Sequence, residues 1–437
     1  MSIPTLQGLQ TALSGLLADQ QAIDVAGHNI TNANTEGYSR QVAVLQTNEP
    51  MRIAALSPTN GEGGQLGTGV SVATYMRIRN SYLDAQYRTQ NTGLGAASTQ
   101  ANELQQAQSA FDEPSTAGLS SQLSAFWSSW GELADDPSSE AAKVSVVSAG
   151  TQVADTLHEV NSQLETVQAQ AAQQYTAITG PSGEVQADAK QIAQLNHQIK
   201  LSLQAKQQPN DLEDRRDLLL DKLSELGNIT VTKEADGTDT VAFGNAAKPL
   251  VEGSEVNWPQ ALTTAAGGKL GALLELASPE GAIGKYRASL NEVAKTLAGS
   301  VNELHTSTPF FTGTTAASIA VAVKASEVQT SKSGASGDNE VALAIAGLRG
   351  GGAEQQYAAL IAQVGSDVQS AKSDQTNAQA VVSAVNGQRQ SVSGVSLDEE
   401  MTSLITFQRG YQSSARALTS MDEMLDTLIN HTGVVGL

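Results

Sequence analysis

The chain has no cysteine, so disulfides, thiolate metal sites and cysteine nucleophiles are excluded together. That absence suits a protein working outside the cell, where stray disulfides form. Aromatic residues make up only 4% and charged residues 16%, a mix suited to long thin helices rather than thick globular cores. Basic residues are scarce, 25 against 45 acidic ones, and a net charge of -20 with no basic stripe excludes nucleic acid as a partner. No long hydrophobic run exists. The uncharged stretch 306–323 carries Pro309, Gly313 and many Thr, so no membrane span is expected. The N-terminus lacks a Lys or Arg cluster ahead of a compact apolar segment and does not read as a secretory signal peptide. The 437 residues suffice for about three domain-sized units.

What is present is helical periodicity, first of all at the two ends. Leu6, Leu9, Leu13, Leu16, Ile23 and Ile30 follow the three-and-four spacing of a heptad seam, with Gln20 and Gly27 in the remaining seam positions. Only Asp19 and Asp24 carry charge before Glu36. Such a helix is marginal alone and is expected to bury its stripe against a partner. The last helix mirrors it, with Leu397, Met401, Leu404, Tyr411, Ala415, Leu418, Leu425 and Ile429 on its seam and polar breaks at Gln408 and Asp422. Ser396 and Glu399 form a capping box at its start, and Gly433 marks its stop.

Between the ends, Val42, Val44, Val70, Val72 and Thr74 alternate with period two around the glycines 61–69, predicting a short extended arm over 47–78. Helices take over from Arg79. Leu94, Ala101, Leu104 and Phe111 form one seam; Leu119, Leu123, Phe126, Trp130 and Leu133 form another. Asp135, Asp136, Pro137 and Ser138 end that run and cap the next helix, in which Val146, Val153, Leu157, Val160, Leu164, Val167 and Ala171 hold a heptad. Ile192, Leu195, Ile199 and Leu203, then Leu212, Leu219, Leu223 and Leu226, complete a first helical block. Residues 229–276 read as a small β-rich insert, with a turn at Asp236 and Gly237. Helix is expected again from Glu280 to Thr306, a loop with a hairpin over 308–339, and a long helix from Ala353 with Tyr357, Val364, Ala371, Ala378, Val385 and Val392 seven apart. The predicted fold class is therefore mainly α with a small β-rich insert. Its parts are paired terminal helices (1–46 and 396–437), the β arm (47–78), an elongated helical-bundle middle (79–228 and 277–395) and the insert (229–276).

Candidates for chemistry are few. His28, His158, His197, His305 and His431 never reach a metal-ligand spacing and read as surface or capping residues. The glycines 61–69 do not satisfy a dinucleotide-binding pattern, and glycines 350–352 mark a helix boundary. The acidic pairs Asp135–Asp136 and Glu399–Glu400 sit at helix starts, where the macrodipole accounts for them. No catalytic residue, cofactor site or metal site is expected, and the insert offers an enzyme no His and no nucleophile.

One run exceeds what a helix stop needs: Asn29-Ile30-Thr31-Asn32-Ala33-Asn34-Thr35-Glu36-Gly37-Tyr38-Ser39-Arg40-Gln41. With Gln408-Arg409-Gly410-Tyr411 near the other end, with Asn210-Asp211-Leu212-Glu213-Asp214-Arg215-Arg216-Asp217 and with Pro309-Phe310-Phe311-Thr312-Gly313, it resembles the rod, hook and hook-associated axial proteins of the bacterial flagellum. The likeness is greatest to the junction branch between hook and filament. The motif residues that carry it are Asn29, Asn32, Asn34, Gly37, Tyr38, Arg40, Gln408 and Tyr411. The resemblance implies a non-enzymatic, secreted structural protein, exported unfolded through the flagellar type III pathway, with a cytosolic chaperone on the C-terminal helix. It implies terminal helices paired as a coiled-coil inner domain, and as partners its own copies, the hook protein and the next hook-associated junction protein. Only a small insert stands where larger members carry an outer domain. A hook or distal rod protein is the nearest alternative, although those are expected to be mainly β in the middle; a signalling coiled coil would require a membrane span.

Overall fold

The computed structural model describes residues 3–53, 64–333, 335 and 337–431; Gly61, Gly63 and Gly433, and the side chain of Leu6, lie outside the described residues. The chain begins with α1 (Ile3–Asn32), then β1 (Gln41–Thr47), β2 (Met51–Ile53), β3 (Gly64–Leu66) and β4 (Val70–Arg77). Five helices follow: α2 (Ser81–Ser109), α3 (Leu119–Asp135), α4 (Glu140–Thr179), α5 (Glu184–Gln204) and α6 (Asn210–Leu226). A four-stranded antiparallel sheet is built from β5 (Ile229–Lys233), β6 (Asp239–Phe243), β7 (Val251–Glu252) and β8 (Glu255–Val256). After it come α7 (Gly268–Ala277), α8 (Ala282–Leu304), the hairpin of β9 (Phe311–Thr312) and β10 (Ala320–Val321), α9 (Glu340–Ala346), α10 (Gly352–Ser393) and α11 (Leu397–Asp426).

The middle seams pack as their spacing predicts. Leu119, Leu123, Phe126, Trp130 and Leu133 of α3 and Val146, Val153, Leu157 and Leu164 of α4 are fully buried, meeting Leu290, Val293 and Leu297 of α8 and Tyr357 of α10 in one core. Burial of each such side chain contributes roughly 2 kcal/mol, which makes this bundle the main source of stability. A second core joins α5 and α6 to the sheet through Val185, Ile192, Leu220, Leu223, Val241 and Phe243. Arg216 of α6 reinforces it: its Nη1 donates to Asn196 Oδ1 at 2.8 Å, and its Nε lies 3.0 Å from Asp239 Oδ2 on the sheet.

Several expectations are corrected. Helix resumes at Gly268, inside the stretch read as β, because Leu270, Leu273 and Leu276 share one buried face that the neighbouring glycines disguise. The arm does not begin at 47: β1 pairs with β4 from Gln41 opposite Arg77 to Thr47 opposite Val70, so the ribbon straddles that boundary. Ser139 rather than Ser138 caps α4. The α10 seam fades toward its end, where Val392 is exposed, because its bundle partners have ended. His305 caps a helix as expected, closing α8 with its N–H on Val301 O at 2.9 Å, but it is buried rather than on the surface. It is 1% exposed, its Nε2 accepts from Gln329 N at 2.8 Å, and its Nδ1 therefore holds the proton donated to Thr308 O at 2.6 Å; burial lowers its pKa.

The terminal helices pair, and their register is continuous. Gly8 faces Met421, Gly15 faces Ser414, Asp19 faces Gly410, and Asn29 meets Glu400. Partner numbers fall on α11 as they rise on α1, with no slip, so the pairing is antiparallel. The buried line on α1 is Ala18, Ala22, Ala26 and Asn29. This corrects the predicted seam. Leu9, Leu16, Ile23 and Ile30 are only half-buried and Leu13 is exposed; on α11, Leu404, Tyr411, Leu418 and Leu425 are half-buried while Leu397, Met401 and Ile429 are exposed. Glycine and alanine let the two backbones approach closely, which leucine would prevent, so the small face turns inward and the aliphatic face outward.

Gly15→Leu tests this. Overpacking against Ser414 costs roughly 1–3 kcal/mol, against a gain of about 1 kcal/mol from replacing a helical glycine. Gly27, whose Cβ position is open space, serves as control. Gly15→Leu is expected to speed proteolysis of the terminal segments and Gly27→Leu to slow it; equal behaviour would refute the small-residue seam.

Candidate functional site

The polar run after α1 builds the joint between the terminal helix pair and the bundle. Asn29, 1% exposed, is its centre. Its Nδ2 donates to Gln41 O at 2.8 Å and to Glu400 Oε2 at 2.9 Å, and its Oδ1 accepts from Gln41 N at 2.9 Å and from the Tyr38 hydroxyl at 2.7 Å. Both hydrogens and both lone pairs of the amide are thus engaged. With Gln41 it makes the paired contacts that another strand would make. Aspartate at position 29 would lack the donors, and glutamine would overreach.

Neighbouring motif residues serve the same joint. Gly37 turns the chain with φ of 78°, and a Cβ there would lie 3.1 Å from Leu218 Cβ, so glycine is required. Tyr38 touches His28 Nδ1 at 3.0 Å, and its hydroxyl is kept protonated by burial and by the charges of Asp211, Asp214 and Glu400. Arg40 donates to Glu400 at 2.7 Å and to Glu399 at 2.9 Å, and its N–H donates to Ser393 O at 2.9 Å. The Glu399–Glu400 pair is therefore more than a helix-dipole device: Glu400 is 3% exposed and couples both ends of the chain. Ser396 still caps α11, but the Glu399 carboxylate serves Arg40. Asn32 Nδ2 donates to His28 O, closing α1 locally. Asn34 and Gln408 are exposed and Tyr411 is half-buried; none of these three belongs to the joint.

The other half of the joint was not singled out as chemistry by sequence reasoning. Asn210, Asp214, Asp217 and Asp221 of α6 fall at helical spacing on one buried face. Asn210 donates to Gln41 Oε1 at 3.0 Å, and Asp214 accepts from Ser39 N at 2.9 Å and Ser39 Oγ at 2.7 Å. Arg77 reaches Glu213 at 2.6 Å, Asp214 at 2.7 Å and Asp217 at 3.0 Å; Arg79 reaches Asp84 at 2.7 Å and Asp217 at 3.1 Å. Arg88 bridges Asp217 at 3.0 Å and Asp221 at 2.8 Å, and Arg389 reaches Asp221 while stacking 4.0 Å over the Tyr87 ring. The signals were the run 210–217, which carries part of the family resemblance, and the row of acids itself, an amphipathic pattern of charge rather than of apolar residues. Burial would raise the Asp217 pKa, but the guanidiniums of Arg79, Arg88 and Arg77 overcome it and hold the carboxyl well below its usual range.

A cleft of 870 Å³ opens beside the joint between turn 33–40 and the α10–α11 elbow. Of the carboxylates lining it, Asp221 and Glu399 are held by arginines. Among the described residues no group of three or more His, Asp or Glu is placed to hold a metal ion, and no helix is long and apolar enough to cross a membrane. What the arrangement does is mechanical: it fixes the terminal pair against the bundle.

Two substitutions test the joint. Asn29→Asp turns donors into acceptors facing Glu400 and Gln41 O, and is expected to destabilise by about 3 kcal/mol, read as release of the terminal helices to protease. Asp217→Asn removes one partner of a buried charge cluster, at a cost of about 3–5 kcal/mol. Because the native pKa lies below the unfolded one, this carboxylate stabilises above the unfolded value of 3.8 and loses its effect as pH falls through the native one. Parent and variant should therefore differ fully in melting temperature at pH 7 and converge only in strong acid. A constant difference down to pH 2 would exclude the charge mechanism.

Comparison with known proteins adds to this geometry. Residues 104–264 match the family model described as flagellar hook-associated protein FlgK helical domain, residues 9–38 that of flagella basal body rod protein, and residues 387–431 that of the flagellar basal body rod FlgEFG protein C-terminal. The chain is 30% identical to flagellar hook-associated protein 1 of Bacillus subtilis, with 99% of each chain covered. It is 30% identical to the protein of the same name from Escherichia coli over 56% of this chain and 43% of that one. A solved structure of the flagellar hook junction protein FlgK from Burkholderia pseudomallei aligns with a TM-score of 0.45 at 24% identity, covering 51% of this chain and 43% of the other. With a relative 30% identical and matched from end to end, the chain belongs to the flagellar hook-associated protein 1 family.

Proposed function

We propose that the chain is a structural component of the bacterial flagellum that joins hook to filament and supports filament growth, with no catalytic role. The observation that carries this reading is the end-to-end match to a hook-associated protein 1. The paired terminal helices form the inner polymerisation domain, and the aliphatic rows they leave outward meet neighbouring copies. Ordering those contacts on arrival is coupled folding and binding, and the Gly- and Ala-lined pair is loose enough to stay unfolded during passage. The hook protein lies on one side and the next hook-associated junction protein on the other. In the cytosol an export chaperone covers the C-terminal helix, and export follows the flagellar type III route. A hook or distal rod protein is the second reading, drawn from the rod-type matches at both ends; the helical match over 104–264 favours the junction.

Deleting the gene separates the two. Complete hooks with filament subunits leaking into the medium are expected for a junction protein. Absence of hooks would overturn it in favour of the rod or hook reading.

A further inference from the structure

A single imidazole closes the end of the bundle that lies away from the joint. Tyr286 of α8 bonds Asp367 of α10 and Thr296 stands against Gly352, so the two helices run antiparallel; Arg389, which belongs to the joint, is near the far end of α10. The C-terminus of α8 is therefore at the opposite end. There His305 joins the two ends of the loop 306–328: its Nδ1 donates to Thr308 O at 2.6 Å, where the loop leaves, and its Nε2 accepts from Gln329 N at 2.8 Å, where the loop returns. Gln329 adds its side chain, whose Oε1 accepts from Ser307 N at 2.9 Å. Between these ends the loop lays Phe310, Phe311, Ile319 and Val323 into the core, with the Phe310 ring 5.4 Å from that of Trp130.

Only the neutral ring with its proton on Nδ1 fits this place. A backbone N–H has no lone pair to accept with, so a second proton on Nε2 would set two donors against each other at 2.8 Å, around a residue 1% exposed. No counter-charge offsets the clash. The ring lies against Trp130 and Phe310, and the charged residues on the elements around it are exposed: Glu132 and Asp135 of α3, Glu303 of α8, Lys324 and Glu327 of the loop, Lys332 beyond it and Glu340 of α9. We propose that His305 is an acid-sensitive clasp: a proton taken from solvent onto Nε2 displaces Gln329 N–H, opens the loop 306–328 and uncovers Phe310 and Phe311 at the end of the bundle away from the joint. Asn302 also ties Phe311, through its N–H at 2.9 Å and its carbonyl at 2.8 Å, but that amide takes no proton in this range and leaves the pH response to the imidazole.

Burial lowers the pKa of this imidazole in the closed loop, so closure is favoured in full above the unfolded value of 6.5 and loses that advantage as pH falls from 6.5 toward the lower native value. Hydrogen exchange of the full chain, corrected for the intrinsic rate at each pH, reads the opening. Protection of residues 306–331 is expected to fall severalfold between pH 7.5 and pH 5.5, with about tenfold as the ceiling, while α3 and α4 stay protected. His305→Gln, which offers an acceptor and a donor but takes no proton, is expected to abolish the fall. A loop equally protected at both pH values, an equal fall throughout the bundle, or the same fall in the variant as in the parent overturns the proposal. Should the variant fail to fold, nitrogen spectra of the parent with isotope-labelled histidine decide. A His305 ring that stays neutral with its proton on Nδ1 as long as the loop is closed supports the clasp; a ring that titrates inside an intact loop overturns it.

Discussion

The rest of the structure depends on the saturated amide of Asn29. Two helices separated by nearly the whole chain must arrive side by side, and this one side chain touches the end of α1, the start of β1 and the start of α11 together. A buried amide with all four positions engaged tolerates no register slip, since a slip of one residue would strand donors and acceptors without water. The buried ion cluster on α6 follows the same logic. Removing charges from water is costly, and clusters of this kind add less stability than apolar packing of equal volume. What the cluster supplies is a single permitted orientation, while stability comes from the bundle core.

The helix pair divides its residues by size. Had the predicted leucine seam faced inward, the pair would have buried more apolar area and been self-sufficient. Turning Gly8, Gly15, Ala18, Ala22 and Ala26 inward gives a close but modest contact, since alanine buries little surface. The aliphatic side chains are then left outward, and in the proposed assembly it is neighbouring copies that cover them.

The helices of the middle were legible because their seams are made of large apolar residues at regular spacing, as at Leu119 to Leu133, and nothing competes with such a stripe for the interior. The pairing of the two ends was legible from their likeness. The face of that pairing was not, because heptad reasoning assigns the largest residues to the seam and has no way to prefer Ala22 over Ile23. The joint was half legible. Asn29, Tyr38 and Arg40 stood out by composition, whereas Glu400 resembled any acid in a first helical turn. Asp217 stood in the run 210–217 that carries the resemblance, but nothing in the sequence made Arg79 its partner; the ribbon, α2 and α6 bring the two to within 3.1 Å.

The placement of these contacts along α6 has a mechanical consequence. The chain crosses between terminal pair and bundle twice, once through residues 33–40 and once through 394–396, and Arg40 N–H on Ser393 O ties the two crossings together. The incoming crossing is fastened to Asn210, Asp211 and Asp214 through Gln41 and Ser39, and the outgoing one to Asp221 through Arg389. From Asp211 to Asp221 the helix rises about 15 Å at 1.5 Å per residue. A single fastening point would let the helix pair swivel; two points that far apart on one rigid helix resist rotation about any axis except the line joining them. Arg77 at the end of β4 and Arg79 just beyond it add ties to Asp214 and Asp217 between the two points. Torque applied to the terminal helices is thus carried into α6 and the second core rather than dissipated in the turn, and this transmission is what a joint between two stacked assemblies requires.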